Sequence, residues 1–420
     1  MTRLRVLASA FTCCPPGNPG FTGGESLLGW NMLNQIARYQ DVWVLTQEVD
    51  RTNIEQAPPE SFSENIHFEY VGLPSFLNSL LRIQGGHQIY YYLWQVKASF
   101  VAKKLNKTRP FDLFHHVTYG NDWMASFIGA RVPIPYVRGP GGGSHRTPES
   151  LQSEYPLAGR IWEKFRSIGQ WLFRHDPFFI ASHNRASAIL LCNQDSIDSL
   201  PEKWKHKVHV FPVCGVSTED LNWATEARSE HDYFKVISAG SLIRIKGFGL
   251  TIKSFKEFSD SHPNCQLTIY GSGPEEPRLR KLIEQTQLQD KVKLAGPVPR
   301  NELLDQIASS DVFLFPSLRD GGGMVVIEAM SLGRPVICLN IGGPGMIITD
   351  DCGVKITPGS PKTTVHDLAA ALERLYLDCD LRNLMGKAAR DRVEETYHWD
   401  KLGDSLNLIY KTTMGAESND

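Results

Sequence analysis

The most specific part of this chain reads Asp311-Val-Phe-Leu-Phe-Pro-Ser-Leu-Arg-Asp-Gly-Gly-Gly-Met-Val-Val-Ile-Glu-Ala-Met-Ser-Leu-Gly-Arg-Pro335. Residues 312–315 are a short apolar run before a proline, which predicts a buried strand. The three glycines at 321–323 then allow a tight turn, and residues 324–332 predict a helix that ends at Gly333. A strand, a glycine turn and a helix N-terminus together favour anion binding, because the free amide groups and the helix dipole point the same way.

Two carboxylates, Asp320 and Glu328, flank that turn with seven residues between them. Together with Glu328-Ala-Met330 and Gly333-Arg-Pro335, this spacing resembles the acidic motif of the retaining glycosyltransferases of family 4, also called group 1. The family pattern has glutamate at the first position, so Asp320 departs from it. The resemblance implies the α/β GT-B architecture, in which two Rossmann-like domains with parallel sheets face one another and a C-terminal helix crosses back to the first domain.

The composition of the whole chain sets outer limits on its function. Its 420 residues are enough for two or three domains, and a formal net charge of −2 makes nucleic acid a poor candidate partner. No apolar run approaches the ~18 residues that a membrane-spanning helix needs. The first 14 residues imitate a signal peptide, but the apolar part is short and Pro15-Pro-Gly17 follows, which favours a first strand. The eight scattered cysteines have no zinc-site or disulfide spacing, and buried thiols are expected.

Short apolar runs alternate with helical periodicity, which predicts parallel sheets covered by helices. We predict strands at residues 4–8, 42–46, 67–71, 113–117, 134–137, 188–192, 208–211, 234–239, 266–270, 292–295, 312–315 and 335–339. The segment 209–220 resembles the end of the family's first domain. We therefore expect an acceptor-side domain at residues 1–212, a nucleotide-sugar donor domain at 217–395, and a returning helix at about 397–412.

The resemblance also implies roles for residues of the second half. Ser238-Ala-Gly-Ser-Leu-Ile-Arg-Ile-Lys-Gly247 resembles a family loop whose two cations hold the donor diphosphate. Lys246 matches the family lysine, whereas Ser241 stands where the family has arginine, and Arg244 is the candidate replacement. Fixed cations and amide donors are what a departing nucleoside diphosphate requires. Further donor-binding candidates are Val298 beside the base, the amides of Gly323, Met324 and Val325 at phosphate, and Glu328 at the ribose. Asp320 is expected to face the donor sugar.

The first half is expected to supply the acceptor side of the cleft. The loop 20–26, with Gly23 and Gly24, resembles an early family loop near the diphosphate, although a purely structural loop is the alternative. A histidine pair ends the strand at 113–117, and the family often has a histidine that contacts the sugar there. Adjacent strand side chains point to opposite faces, so one of His115 and His116 is expected at the cleft, with His115 favoured. The loop 136–146 resembles the family's Gly-Pro-x-Gly-Gly-Gly loop and supplies the acceptor-side candidates Arg138, Gly142, Gly143 and His145.

Three aromatic and basic segments of the first half, residues 77–81, 90–94 and 161–166, have two interpretations. They are able to rest on a membrane surface, which would allow peripheral membrane contact through the first domain. Core packing is the favoured interpretation.

These features predict a cytoplasmic retaining glycosyltransferase that transfers a sugar from a nucleotide diphosphate sugar to an unknown acceptor, with a hydroxyl of a glycan, a lipid-linked molecule or a small molecule expected. A location at the inner face of the membrane is compatible with this prediction. No cofactor is expected, because the nucleotide sugar is a substrate. No metal is implied, since the single Asp-x-Asp, Asp378-Cys-Asp380, lies far from the donor motifs. A nucleotide-sugar epimerase of the same architecture and a non-catalytic donor-binding subunit are the alternatives.

Overall fold

The structure of the chain is a computed structural model that describes residues 3–17, 24–83, 85–223 and 232–415. It contains two parallel β-sheets, each covered by helices on both faces. The first sheet has the strand order β3-β2-β1-β4-β5-β6-β7 and the second has the order β10-β9-β8-β11-β12-β13. In both sheets the order reverses beside the first strand, which is the doubly wound topology of nucleotide-binding Rossmann folds.

The first sheet and its helices have the following bounds. The strands are β1 (Arg5–Ala10), β2 (Asp41–Gln47), β3 (Ile66–Val71), β4 (Leu113–Thr118), β5 (Tyr136–Gly141), β6 (Ala188–Leu191) and β7 (Val208–Val210). The helices are α1 (Gly24–Ala37), α2 (Arg51–Glu55), α3 (Gly86–Thr108), α4 (Phe127–Arg131), α5 (Leu157–Arg174), α6 (Pro177–Arg185), α7 (Gln194–Asp198) and α8 (Glu202–Lys205).

The second sheet and the remaining helices complete the described chain. The strands are β8 (Phe234–Ala239), β9 (Cys265–Tyr270), β10 (Val292–Gly296), β11 (Val312–Phe315), β12 (Val336–Leu339) and β13 (Gly353–Ile356). The helices are α9 (Thr218–Asn222), α10 (Phe248–Ser261), α11 (Glu276–Gln285), α12 (Arg300–Ala308), α13 (Met324–Ser331), α14 (Gly342–Ile347), α15 (Pro361–Leu377), α16 (Cys379–Arg392) and α17 (Trp399–Thr413).

Every strand that the sequence predicted is present, and the two parallel sheets confirm the predicted fold class. The sequence pattern did not predict β13, a four-residue edge strand that begins with glycine and is held by its register on β12. It also missed α3 and α5 as long helices. The Asp-x-Asp at 378–380 is structural, because the Asp378 carboxylate accepts a hydrogen bond from the Leu381 amide and caps α16.

The last helix, α17, returns to the first domain as predicted. Its buried side chains Leu402, Leu406 and Tyr410 belong to the apolar core that contains β1, α1 and β4. The chain crosses between the domains twice, and the two crossings touch. The Val216 amide donates to the Tyr397 carbonyl at 2.9 Å, and the Trp399 amide donates back to the Val216 carbonyl at 3.0 Å.

The aromatic and basic segments of the first domain divide into two groups. Tyr90, Tyr91 and Trp94 are buried, and the leucines of residues 77–81 pack against the same core, as the favoured interpretation predicted. That interpretation is wrong for residues 161–166, because Ile161 and Phe165 of α5 point to solvent. Of the eight cysteines, seven are buried free thiols and Cys379 is exposed. Among the described residues, no helix combines the length and apolarity that crossing a membrane requires.

The packing of α17 makes a testable stability prediction. Leu406 is 1% exposed against the first-domain core, whereas Leu408, on the same helix, is 56% exposed. We expect Leu406→Ala to lower the free energy of unfolding by about 2–5 kcal/mol, because it removes buried methyl groups and leaves a cavity. The matched control Leu408→Ala should change it by less than about 0.5 kcal/mol. Urea denaturation followed by tryptophan fluorescence measures both, and equal effects would contradict the docking of α17.

Candidate active site

A cleft of about 590 Å³ lies between the two domains. Its walls are loops that follow the carboxyl ends of β4, β5 and β6 in the first domain and of β8 and β11 in the second. This is where ligands bind in open α/β sheets. The residues that line it include Gly24, Glu25, Gly120, Gly142, His145, Cys192, Val213, Cys214, Gly240, Ser241, Lys246, Phe315, Asp320, Gly321, Gly322, Gly323, Met324, Val325 and Trp399.

The centre of the cleft is the glycine turn between β11 and α13. Gly323 takes the left-handed conformation, with φ +64°, immediately before the first residue of α13. One carboxylate oxygen of Asp320 accepts the amides of Gly322 at 3.1 Å and Gly323 at 2.8 Å. Its other oxygen forms an ion pair with the Lys246 ammonium. The structure therefore brings together the predicted loop, the acid and the lysine.

The charge state of Asp320 follows from these contacts. Burial alone would raise its pKa, but the nearby Lys246 and the two glycine amides outweigh burial, so the pKa of Asp320 is lowered. Its carboxylate thus occupies part of an anion site at a helix N-terminus. The predicted phosphate-binding amide of Gly323 is bonded to this carboxylate.

Two thiols hold the other side of the same turn. The Cys192 thiol donates to the carbonyl of Gly321 at 3.3 Å, and the Cys214 thiol donates to the carbonyl of Gly322 at 2.7 Å. Burial raises the pKa of Cys192 to about 12 and holds that of Cys214 well above its usual range, so both remain protonated donors at neutral pH. The sequence alone does not indicate these contacts, because neither cysteine belongs to a recognised spacing, and Cys192 meets the turn only in the assembled fold.

Glu328 is buried behind the turn and does not line the cleft. Its carboxylate pairs with Arg300 at 2.7 Å, and Arg300 also pairs with Asp220 at 2.7 Å. Burial raises the pKa of Glu328, although Arg300 opposes the shift. Arg300 was quoted in the sequence motif without a role, and the structure makes it the partner that compensates the charge of Glu328.

Two other predicted donor residues lie away from the cleft wall. Arg244 forms an ion pair with Glu275 at 2.8 Å and donates to the Glu154 carbonyl at 3.0 Å. The structure therefore does not place it where the absent family arginine would act, because its guanidinium is held by these partners. Val298 is partly buried against the core of the second domain, just before α12. Ser241 does line the cleft.

The structure does not place either histidine of β4 on the cleft wall. His115 is fully buried, its Nε2 donates to the Gly139 carbonyl at 2.5 Å, and its Nδ1 accepts from the Tyr410 hydroxyl at 2.6 Å. The preference for His115 as the cleft residue is therefore wrong, since both nitrogens serve the contact between the first sheet and α17. His116 is also buried and is bonded to the Tyr91 hydroxyl at 3.1 Å.

Some of the predicted acceptor-side residues line the cleft, and others are held inside the first domain. Gly142 and His145 line the cleft, whereas Arg138 is buried and donates to the carbonyls of Asn121 and Met124. The expectation that Arg138 faces the acceptor is thus wrong in this structure, because these carbonyls hold its guanidinium inside the domain. The Gly143 carbonyl accepts from Arg166 at 2.6 Å. Burial, reinforced by Arg166 and Arg319, lowers the pKa of His145 to about 4, so its imidazole is neutral at pH 7.

Glu25 is a cleft residue that the sequence analysis did not select. It lies in the first turn of α1, and its carboxylate accepts the Gly120 amide at 3.2 Å. Burial raises its pKa despite that hydrogen bond. The signal was present, because Glu25 follows the glycines of the loop 20–26, but only the glycines were interpreted. Gly24 lines the cleft, and Gly23 lies outside the described residues.

Comparison with known proteins agrees with this geometry. Residues 221–392 match the family model described as glycosyl transferases group 1. A Methanocaldococcus jannaschii protein described as an uncharacterized glycosyltransferase is 25% identical over 81% of this chain and 87% of its own length. The D-inositol 3-phosphate glycosyltransferase of Paenarthrobacter aurescens is 33% identical over 44% of this chain, which spans 45% of that relative's length. The alpha-D-kanosaminyltransferase of Streptomyces kanamyceticus is 27% identical over 58% of this chain and 64% of its own length.

Solved structures share the whole architecture. Sucrose-phosphate synthase from Thermosynechococcus elongatus superimposes with a TM-score of 0.66 and 17% identity, over 99% of this chain and all of that one. The Rickettsia africae glycosyltransferase gives a TM-score of 0.65 at 13% identity, with both chains covered completely. The chain therefore has the GT-B fold of glycosyltransferases. The matched segment and the relatives support a group 1 glycosyltransferase.

The contact of His115 with α17 predicts a pH dependence of stability. Burial lowers the pKa of His115 to about 4, from the 6.5 of an unperturbed histidine. The unfolded chain therefore binds more protons between those values, and the free energy of unfolding should fall as pH falls from about 6.5 to 4. Titration of this one histidine lowers the free energy of unfolding by at most about 1.4 kcal/mol per pH unit. We expect the free energy of unfolding, measured with urea, to differ less between pH 7 and pH 5 in His115→Gln than in the wild type. His209→Gln changes an exposed histidine and should show the wild-type difference.

Proposed function

We propose that this protein is a retaining family 4 glycosyltransferase that transfers a sugar from a nucleotide diphosphate sugar to an acceptor hydroxyl without a metal ion. The observation that carries the proposal is the pair formed by Lys246 and Asp320 on the glycine turn at the start of α13. Cation, helix N-terminus and acid meet inside a cleft between two Rossmann-like domains, which suits a diphosphate joined to a sugar.

The donor would be bound by exchange of ionic partners. A diphosphate entering beside the first amides of α13 competes with the Asp320 carboxylate for Lys246. Once Lys246 is turned to the phosphates, Asp320 keeps the amides of Gly322 and Gly323 and is free to accept hydrogen bonds from the sugar hydroxyls. The ion pair thus holds Lys246 and Asp320 in position until the donor phosphates replace the Asp320 carboxylate on Lys246.

The transfer step follows from the charges in the cleft. The bond between the anomeric carbon and the phosphate oxygen breaks while the acceptor oxygen bonds to the same face of that carbon. The departing phosphate oxygen takes the acceptor's proton, and Lys246 with the α13 amides stabilises the negative charge that gathers there. Glu25 and the neutral His145 line the first-domain wall of the cleft, and we assign them the role of orienting the acceptor.

The direct test is an assay with a panel of UDP-, GDP-, ADP- and dTDP-sugars, with and without EDTA, that measures nucleoside diphosphate release. We expect one donor class to give release that survives chelation. Release abolished by EDTA and restored by magnesium or manganese would refute the metal-free mechanism. Formation of an epimer without release would identify an epimerase, and a thermal shift without turnover would identify a donor-binding subunit.

Replacing Asp320 and replacing Glu328 are predicted to change the kinetics in different ways. Asp320→Asn should lower turnover by about 10²-fold, because a misplaced anomeric centre loses alignment rather than affinity. Nucleoside diphosphate binding should be retained, since the competing carboxylate charge is gone. Glu328 is paired with Arg300 outside the cleft wall, so the proposal requires a bound donor ribose to replace Arg300 on its carboxylate. Glu328→Ala should then mainly raise the donor KM, with a loss in kcat/KM of roughly 10- to 150-fold, equivalent to about 1.5–3 kcal/mol for a hydrogen bond to a charged group.

Kinetics and calorimetry on purified variants decide between these outcomes. Asp350→Asn and Glu284→Ala change exposed acids of the same domain and serve as matched controls that should behave as the wild type. Because Glu328 is the partner of Arg300, its variant should first pass a thermal unfolding check. Full turnover in Asp320→Asn together with lost nucleotide affinity would reverse the two assignments.

A further inference from the structure

Helix α5 presents its apolar side to solvent and its polar side to the protein. Six large apolar residues are between 46% and 72% exposed, namely Leu157, Ile161, Phe165, Ile168, Trp171 and Leu172. Their spacing of three or four residues places them on one side of the helix. The only buried residue of α5 is Gln170. This is the reverse of the arrangement that a helix on a water-soluble core adopts.

The polar side of α5 explains why the helix is held in this orientation. Glu163 forms an ion pair with Arg319 of the second domain. Arg166 and the Gln170 amide both donate to the Gly143 carbonyl, at 2.6 and 2.9 Å. These contacts fix the polar side toward the cleft, so the apolar side has no alternative but to face outward.

Helix α3 carries a second, smaller group of exposed apolar residues. Ile89, Leu93 and Phe100 are 49%, 36% and 61% exposed and lie on one side of α3. The two helices are neighbours, since the ring of Tyr92 on α3 lies 5.9 Å from that of Phe173 on α5. We call the exposed sides of α3 and α5 together the α3–α5 face. Such a surface on a single chain marks an interaction site.

The charge around the α3–α5 face indicates its partner. Residues 70–111 contain six lysines and arginines and no aspartate or glutamate, although the whole chain has a net charge of −2. Lys104 and Lys107 follow Phe100 by four and seven residues, so they lie on the same side of α3. On α5, Lys164 is exposed, whereas the single acid, Glu163, is paired with Arg319.

We propose that the α3–α5 face docks on the surface of an anionic lipid bilayer. An exposed apolar stripe flanked by lysines is suited to the boundary between headgroups and acyl chains. Each lysine near an anionic surface adds attraction that salt weakens. A second copy of this chain is a poorer occupant, because two-fold pairing would bring the basic surfaces of the two copies together.

Docking would also orient the cleft. The side of α5 opposite the lipid holds the carbonyl of Gly143, which belongs to the loop whose Gly142 and His145 line the cleft. The acceptor side of the cleft would then lie next to the bilayer, which suits an acceptor attached to a lipid. This consequence rests on the proposed function, whereas docking itself does not.

Vesicle sedimentation with the full chain tests the proposal. We expect binding to vesicles of phosphatidylcholine mixed with phosphatidylglycerol, little binding to phosphatidylcholine alone, and weaker binding in 0.5 M salt. Phe165→Ser/Trp171→Ser and Lys104→Glu/Lys107→Glu should each reduce binding at least about tenfold. The controls Leu384→Ser and Lys387→Glu change exposed residues of α16 in the second domain and should bind as the wild type.

The proposal is overturned if the wild type does not bind the anionic vesicles, or if the face variants bind as well as the controls. It is also overturned if sedimentation velocity finds a dimer that the same variants dissociate, since the face would then belong to a second copy. Thermal unfolding confirms that the variants fold, as exposed positions should allow. Nucleoside diphosphate release in solution is measured separately, so failure of docking and failure of the proposed sugar transfer are distinguishable.

Discussion

The candidate site depends on one constraint, the need to place a negative charge on the amides that begin α13. The turn at 321–323 exposes these amides, and Lys246 adds a full positive charge beside them. Asp320 supplies the anion from within the chain. The sheet order makes the meeting possible, because Lys246 follows β8, Asp320 follows β11, and these strands are neighbours at the point where the order reverses. Under the proposed function, a donor diphosphate would therefore enter a site that is already balanced in charge.

The two domains are joined so that motion between them would act on that site. Both chain crossings meet at Val216 and Trp399, and Trp399 also lines the cleft. Direct ties add to these crossings, including the ion pair of Lys253 with Glu154 at 2.8 Å and the Cys192 thiol on the glycine turn. An apolar contact adds to these polar ties, because Leu151 and Tyr155, which precede α5, are buried in the core of the second domain.

Much of the second domain could be predicted because its motifs are local. A strand, its glycine turn and the following helix lie within 25 residues, so spacing alone fixes their geometry. The first domain was harder, since its site residues come from loops far apart in sequence. Strand alternation predicted that His115 and His116 face opposite sides, but it could not say that Tyr410, nearly 300 residues later, would occupy one side. The same limit hid the pairing of Arg244 with Glu275 and the burial of Arg138.

Helix α5 shows most clearly what the sequence pattern could not predict. Periodicity identifies which residues share a side of a helix, but the rest of the chain decides which side is buried. Core packing was favoured for residues 161–166 because apolar sides usually face inward. Here the polar side of α5 binds Arg319 and the Gly143 carbonyl instead, and the apolar side therefore faces solvent. The contacts that support the cleft loop containing Gly142 and Gly143 are therefore the same contacts that expose the apolar surface, so cleft architecture and surface chemistry are set by one helix.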